Sequence, residues 1–115
     1  MNEIHSLPHH NLLAYGVAVE LLQAVRACSI GDSTLRDQAL RSAKSACLNA
    51  AEGAGRTSRG DKACAFSIAR AEAGEAAAAV EIAAACGDAG SGPAGEVVRL
   101  ASRLSRMLYP LARAR

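Results

Sequence analysis

The amino-acid sequence predicts an all-α protein, an antiparallel up-down-up-down four-helix bundle, and three observations carry that expectation. Roughly a quarter of the residues are alanine, the best helix former, while aromatic residues make up only 3%. Apolar residues recur three and four positions apart in four segments, each bounded by Gly, Ser, Asp or Pro. No segment shows the alternation of a strand. A chain of 115 residues is enough for one hydrophobic core, so residues 1–115 are read as a single domain whose short connections favour antiparallel neighbours.

The first helix is expected over about residues 6–28, with Ser6 as N-cap, Pro8 in the first turn, and Leu12, Tyr15, Val19, Leu22 and Val25 at helical spacing. Gly31, Asp32 and Ser33 mark a turn, after which the absence of Gly and Pro predicts a second helix over about 33–53. Gly53, Gly55 and Gly60 make the next break, with Asp61 suited to the opening turn of a third helix over about 58–86. That helix is apolar or small almost all round, which predicts burial on more than one side. Gly87 to Gly95 reads as a loop. A fourth helix over about 93–113 then carries Val97, Leu100, Ala101, Leu104, Leu108 and Leu111 in one stripe, with Pro110 late enough to disturb only its last turn.

A core of Ala, Leu and Val buries less area per side chain than one with aromatics, so the composition leans toward an oligomer. No stretch reaches the roughly 18 apolar residues that span a bilayer, and Met1 to His10 lack the pattern of a secretion signal, so the protein is expected in the cytoplasm. Cys28, Cys47, Cys64 and Cys86 are far apart without a CxxC pair and are expected as small buried thiols. The formal net charge of +2 does not by itself announce a nucleic-acid binder.

Several motifs fail on chemical grounds. The stretch from Gly53 to Lys62 suggests a phosphate loop, but Asp61 separates Gly60 from Lys62, no Ser or Thr follows, and a helix precedes it where a strand is required. His5, His9 and His10 straddle Pro8 with no further ligand near in sequence, so no metal site and no cofactor are expected. No nucleophile, base and orienting group can be singled out together, which makes the expected protein non-enzymatic.

Two patterns remain. Gln38, Arg41, Ser45, Asn49 and Glu52 step by three or four residues along one face of the second helix. They form either a solvated face or a hydrogen-bonded seam in which Arg41 meets a carboxylate such as Glu52, Glu72 or Glu75. On the fourth helix Arg99, Arg103, Arg106 and Arg113 lie almost opposite the leucine stripe. They either keep the surface soluble and complement the helix end, or form a ridge that contacts phosphates.

The run from Gln38 to Arg56 also carries a resemblance. Gln38, Arg41, Ser45, Asn49, Glu52, Gly53, Gly55 and Arg56 resemble, without a gap, the hallmark of the bacterial four-helix bundle family named for 23S rRNA intervening sequences. Ile68, Ala69, Arg70 and Glu75 are similar to a second family motif, and Leu12, Tyr15, Ala18, Leu21 and Arg106 to Leu108 suit its first and last helices. Ser42 replaces an Ala of the hallmark, and Ala71-Glu72 replace a Gly-Ser pair. The resemblance implies a ring-like homopentamer and favours the seam reading of Gln38, Arg41, Ser45, Asn49 and Glu52. It further implies RNA or DNA as partner, since a related branch, the accessory variability determinant of diversity-generating retroelements, binds nucleic acid and a reverse transcriptase. The expected function is an oligomeric nucleic-acid-associated adaptor; a purely structural or protein-binding homo-oligomer is the alternative.

Overall fold

The structure, a computed structural model, describes residues 7–113, and its helices start and stop at residues with the chemistry to do so. A one-turn 3-10 helix, Pro8–Asn11, precedes α1 (Leu13–Ala27), α2 (Ser33–Gly55), α3 (Arg59–Ala85) and α4 (Ser91–Ala112), and no strand occurs among the described residues. Asp32 caps α2 by accepting a hydrogen bond from the Leu35 amide at 2.9 Å. Ser58 caps α3 in the same way, from the Asp61 amide at 3.0 Å. At the far end of α3, Gly87 adopts φ +82°. Its amide bonds Ala84 O and the Asp88 amide bonds Ala83 O, the paired closure in which a left-handed glycine satisfies the last carbonyls.

Three boundaries differ from the sequence expectation. The first helix is not continuous: Pro8 opens a separate turn, Leu12 is extended, and α1 begins at Leu13 without a side-chain cap. Ser6, the expected cap, lies outside the described residues. α2 runs on to Gly55 because Lys62 Nζ donates to the carbonyls of Gly53 and Ala54 at 3.2 and 3.0 Å, satisfying acceptors that the helix end leaves free. α4 begins at Ser91, not in the middle of a loop. Pro93 fits its first turn, where no intrahelical amide bond is needed, and Ala94 makes the first such bond to Gly90 O.

The four helices pack in order around one core, α4 closing on α1, while α1 and α3 barely touch across the diagonal. α2 and α3 form the most extensive pair and run in opposite directions, since Ser45 meets Glu72 whereas Gly53 meets Phe66. Their interior faces are nearly all alanine: Ala39, Ala43, Ala46 and Ala50 on α2, Ala69, Ala73, Ala76 and Ala83 on α3. The branched side chains come mainly from the other two helices, with Val17, Leu21 and Val25 from α1 and Val97, Leu100, Leu104 and Leu108 from α4. The buried face of α1 is therefore not the stripe the sequence suggested. Val25 is common to both, but Ala14, Val17, Ala18 and Leu21 lead inward, and Leu12, Val19 and Leu22 are only half-buried. A helix with two adjacent apolar stripes is turned by where its neighbours stand, here α2 and α4. The loop before α2 is also pinned: Ser29 takes φ +50° and Ile30 is buried in the core.

Phe66, the single phenylalanine, is 4% exposed and packs against the backbone of Gly53. A Cβ at Gly53 would stand 2.6 to 2.9 Å from three atoms of that ring. Gly53→Ala should therefore lower stability by about 1–3 kcal/mol, because the new methyl group must displace a ring packed against the helix backbone. Gly74→Ala, in mid-α3 with nothing near its would-be Cβ, should instead stabilise by about 0.5–1 kcal/mol. Thermal unfolding of both variants by circular dichroism checks the contrast, and equal effects would remove the role given to the Gly53–Phe66 contact.

Candidate functional site

Two surfaces collect the polar residues that the sequence singled out. On α2, the stripe of Gln38, Arg41, Ser45, Asn49 and Glu52 stands at the edge of the alanine face, and its side chains form two short hydrogen-bonded chains and one ion pair. In the first chain, the Arg41 guanidinium donates to Gln38 Oε1, and Gln38 Nε2 donates to Ser42 Oγ at 3.0 Å. Ser42, 2% exposed, is thus a buried hydroxyl with its partner supplied by the preceding turn. In the second, Asn49 Nδ2 donates to both the carbonyl and the hydroxyl of Ser45, at 2.9 and 3.1 Å, and Ser45 Oγ donates to Glu72 Oε2 at 3.2 Å. That last bond carries the stripe across from α2 to α3.

Among the described residues Arg41 forms no ion pair with a carboxylate. Glu72 is taken by Ser45, and Glu52 pairs with Arg56 one turn on, where it raises the guanidinium pKa by hydrogen bond and charge. Both members of that pair are about half exposed, so it orders the end of α2 more than it stabilises the fold. Beside the stripe the surface is open and partly apolar. A depression of about 460 Å³ is lined by Leu40, Arg41, Lys44, Leu48 and Asn49, and a smaller one of about 150 Å³ by Asn49, Glu52, Arg56, Cys64 and Ile68. Leu48 is 70% exposed, and Ile68 and Ile82 of α3 are exposed too. Within one protomer, then, α3 is buried along one broad face and not all round.

The second surface is the outer face of α4. Leu104 and Leu108 are fully enclosed, which turns Arg99, Arg103, Arg106 and Arg113 outward, and all four are exposed. They are not equivalent. Arg99 forms a two-pronged pair with Glu96, at 3.0 and 2.7 Å; the contact lowers the Glu96 pKa and raises that of Arg99. Arg106 donates to Ser102 Oγ at 2.7 Å, Arg113 lies over the Tyr109 ring, and Arg103 makes no hydrogen bond or ion pair among the described residues. A fifth cation missed in the sequence joins them: Arg70 of α3 donates through Nε to Ser105 O at 3.2 Å and lies over the same Tyr109 ring. The spacing of Arg106, Tyr109 and Arg113 along one helix face was the available signal, but Arg70 needed the packing of α3 against α4.

The family's sequence profile, described as 23S rRNA-intervening sequence protein, matches residues 12–110. The chain belongs to that family. No individually curated protein matches it. For this 23S rRNA-intervening sequence family member, the hallmark residues acquire physical roles. Gly53 admits Phe66, Arg56 and Glu52 finish α2, and Ser45 and Asn49 bind each other and reach α3 through Glu72.

Other expected features are placed as follows. Among the described residues no group of three or more His, Cys, Asp or Glu could hold a metal ion, and no helix is long and apolar enough to cross a membrane. His5 lies outside the described residues, and His9 meets the Tyr15 ring edge-on at 4.7 Å. Lys62, in the segment that imitates a phosphate loop, spends its ammonium on the carbonyls of α2. The cysteines divide, against the expectation of four buried thiols: Cys28 and Cys47 are buried, Cys64 and Cys86 exposed, because the latter pair stand on the side of α3 away from the core and at its end.

Burial raises the pKa of both Cys28 and Cys47 above that of a free thiol, so less of each is thiolate at a given pH. A thiol reagent at mildly alkaline pH should label Cys86 at once and leave Cys28 and Cys47 unreacted until the protein is unfolded. Mass spectrometry of the labelled peptides reads this directly; prompt labelling of Cys47 in the folded protein would show that the α2 core face opens in solution.

Proposed function

We propose that the protein is a non-enzymatic homo-oligomer that associates with RNA through the outer face of α4. The observation that carries this reading is the exposed group Arg70, Arg103, Arg106 and Arg113, none of which forms an ion pair among the described residues. Cations whose charge is not cancelled locally can replace the counterions of a phosphate backbone, and successive helical turns space them along it. The net charge of +2 is compatible with this, because the acidic Glu72 and Glu75 lie on the α2 side of α3, turned away from Arg70. The family's description supplies RNA as the first nucleic acid to test. A reverse transcriptase is the protein partner this reading admits.

Self-association is supported by the opposite side of the bundle. Leu48, Ile68 and Ile82 are apolar and exposed around the α2 polar stripe, with basic Arg41 and Lys44 beside Asp37 on α2 and acidic Glu72 and Glu75 on α3. Such a surface is complementary to a second copy of itself, α2 against α3. We take a ring of five as the assembly. Light scattering after size exclusion should then give about five times the 11.8 kDa protomer mass, and Leu48→Glu with Ile68→Glu should reduce it to one. A protomer mass for the unmodified protein at micromolar concentration would overturn the assembly.

For RNA, log K should fall by roughly 0.7 to 0.9 per phosphate contact for each unit of log salt, and binding should tolerate changes of sequence. Arg103→Gln with Arg106→Gln should flatten that slope by roughly 1.4 units or more. Fluorescence anisotropy across salt concentrations decides between this and a purely structural homo-oligomer. Absence of binding at low salt, or an unchanged slope in the double variant, would favour the structural reading.

A further inference from the structure

Resting on the RNA-associated reading of α4, we propose that Tyr109 is a stacking platform for an unpaired base, so that the preferred ligand is single-stranded. Tyr109 is 47% exposed, although its helix has the leucines of the core available to cover an aromatic ring. It stands three residues after Arg106 and four before Arg113, and so shares a face with both. The guanidinium carbons of Arg70 and Arg113 lie 5.0 and 5.1 Å from the ring centroid. Those distances are within the range of cation–π attraction, and the residue keeps nearly half of its surface open beside the two cations. The ring is therefore attended by two cations without being sealed by them.

The two cations differ in what holds them. Arg70 is anchored by its bond to Ser105 O, whereas Arg113 stands at the C-cap of α4, with its contact to the ring as its tie. A base laid on Tyr109 can take the place of the Arg113 guanidinium, which then reaches the neighbouring phosphate, while Arg70 remains at the ring. Room for the strand to continue lies one turn on. An open depression of about 300 Å³ between the start of α3 and the end of α4 is lined by Gly60, Ala63, Cys64, Ser67, Ile68 and Ala112, and the strand would use its Ala63 and Ala112 side, since Ile68 belongs to the surface assigned to self-association. A duplex offers phosphates to the arginines but keeps its bases stacked inside, so it gains nothing from Tyr109.

The test compares a labelled oligouridine of about a dozen nucleotides with its duplex by fluorescence anisotropy, with a DNA strand of the same composition as a further arm. The single strand should bind more tightly, and the preference should grow as salt rises, since stacking does not release counterions. Tyr109→Ala should weaken single-strand binding about fivefold or more and leave duplex binding unchanged, while Tyr109→Phe keeps the platform and restores affinity. In a Tyr15→Phe background Tyr109 is the sole tyrosine, and its fluorescence should be quenched by the strand. Equal binding of strand and duplex that Tyr109→Ala does not change would overturn the stacking proposal and leave the arginine ridge standing. Single-strand binding that survives the Arg103 and Arg106 substitutions but not Tyr109→Ala would do the reverse. No binding of either RNA at low salt would overturn both.

Discussion

The close approach of α2 to α3 is the constraint on which the rest of this bundle depends. Phe66 lies on the bare backbone of Gly53, and alanines face inward on both helices for most of their length. Alanine contributes little buried area, so each such contact gains little from the hydrophobic effect alone. What compensates is proximity: without bulky side chains between them, the two backbones come close and make many dispersion contacts along long helices. The larger side chains of α1 and α4 then fill what the alanine slab leaves, with Leu21, Val97, Leu104 and Leu108 fully enclosed. The single aromatic ring of the core sits at the end of the slab, where Lys62 also ties α3 to the last carbonyls of α2.

This arrangement pushes the polar residues of α2 to the border of the slab. There they have room for hydrogen bonds but little depth, so their partners are mostly on their own helix: Gln38 with Ser42, Asn49 with Ser45, Glu52 with Arg56. The bond from Ser45 to Glu72 is the exception, and it fixes the rotation of α2 on α3 at mid-length. Among the described residues no buried side-chain polar atom lacks a partner, as a slab this tight requires.

The sequence disclosed the fold class, the α3 boundaries and the inward stripe of α4 because these rest on local signals: caps at Asp32 and Ser58, glycine at 87, leucine at helical spacing. It misplaced what depends on neighbours. The face of α1 that turns inward was decided by α2 and α4, since both of its apolar stripes satisfy the helical period. Gly53 looked like a helix end, yet Lys62 satisfies its carbonyl so that α2 runs on to Gly55, and Phe66 packs against it. The arginines of α4 were found as a face, but their inequality was not. Glu96 holds Arg99 by a contact within α4, whereas Arg70 reaches Tyr109 from nearly forty residues earlier in the chain.

The two proposed surfaces occupy opposite flanks of α3, and their separation follows from the packing order. On one flank, Ile68 shares a depression with Asn49 and Glu52 of α2. On the other, Arg70, only two residues further along, bonds the backbone of α4. Two residues turn a helix by roughly 200°, so neighbouring positions on α3 serve different sides of the molecule. α2 and α4 stand at diagonal corners, each paired with α1 and α3. Copies joined through the outward faces of α2 and α3 would therefore leave the arginines and Tyr109 of α4 uncovered and repeated once per protomer. A contact too weak to hold RNA in a single protomer gains effective concentration when several are fixed around one assembly, which connects the alanine-built slab of α2 and α3 to the proposed binding on α4.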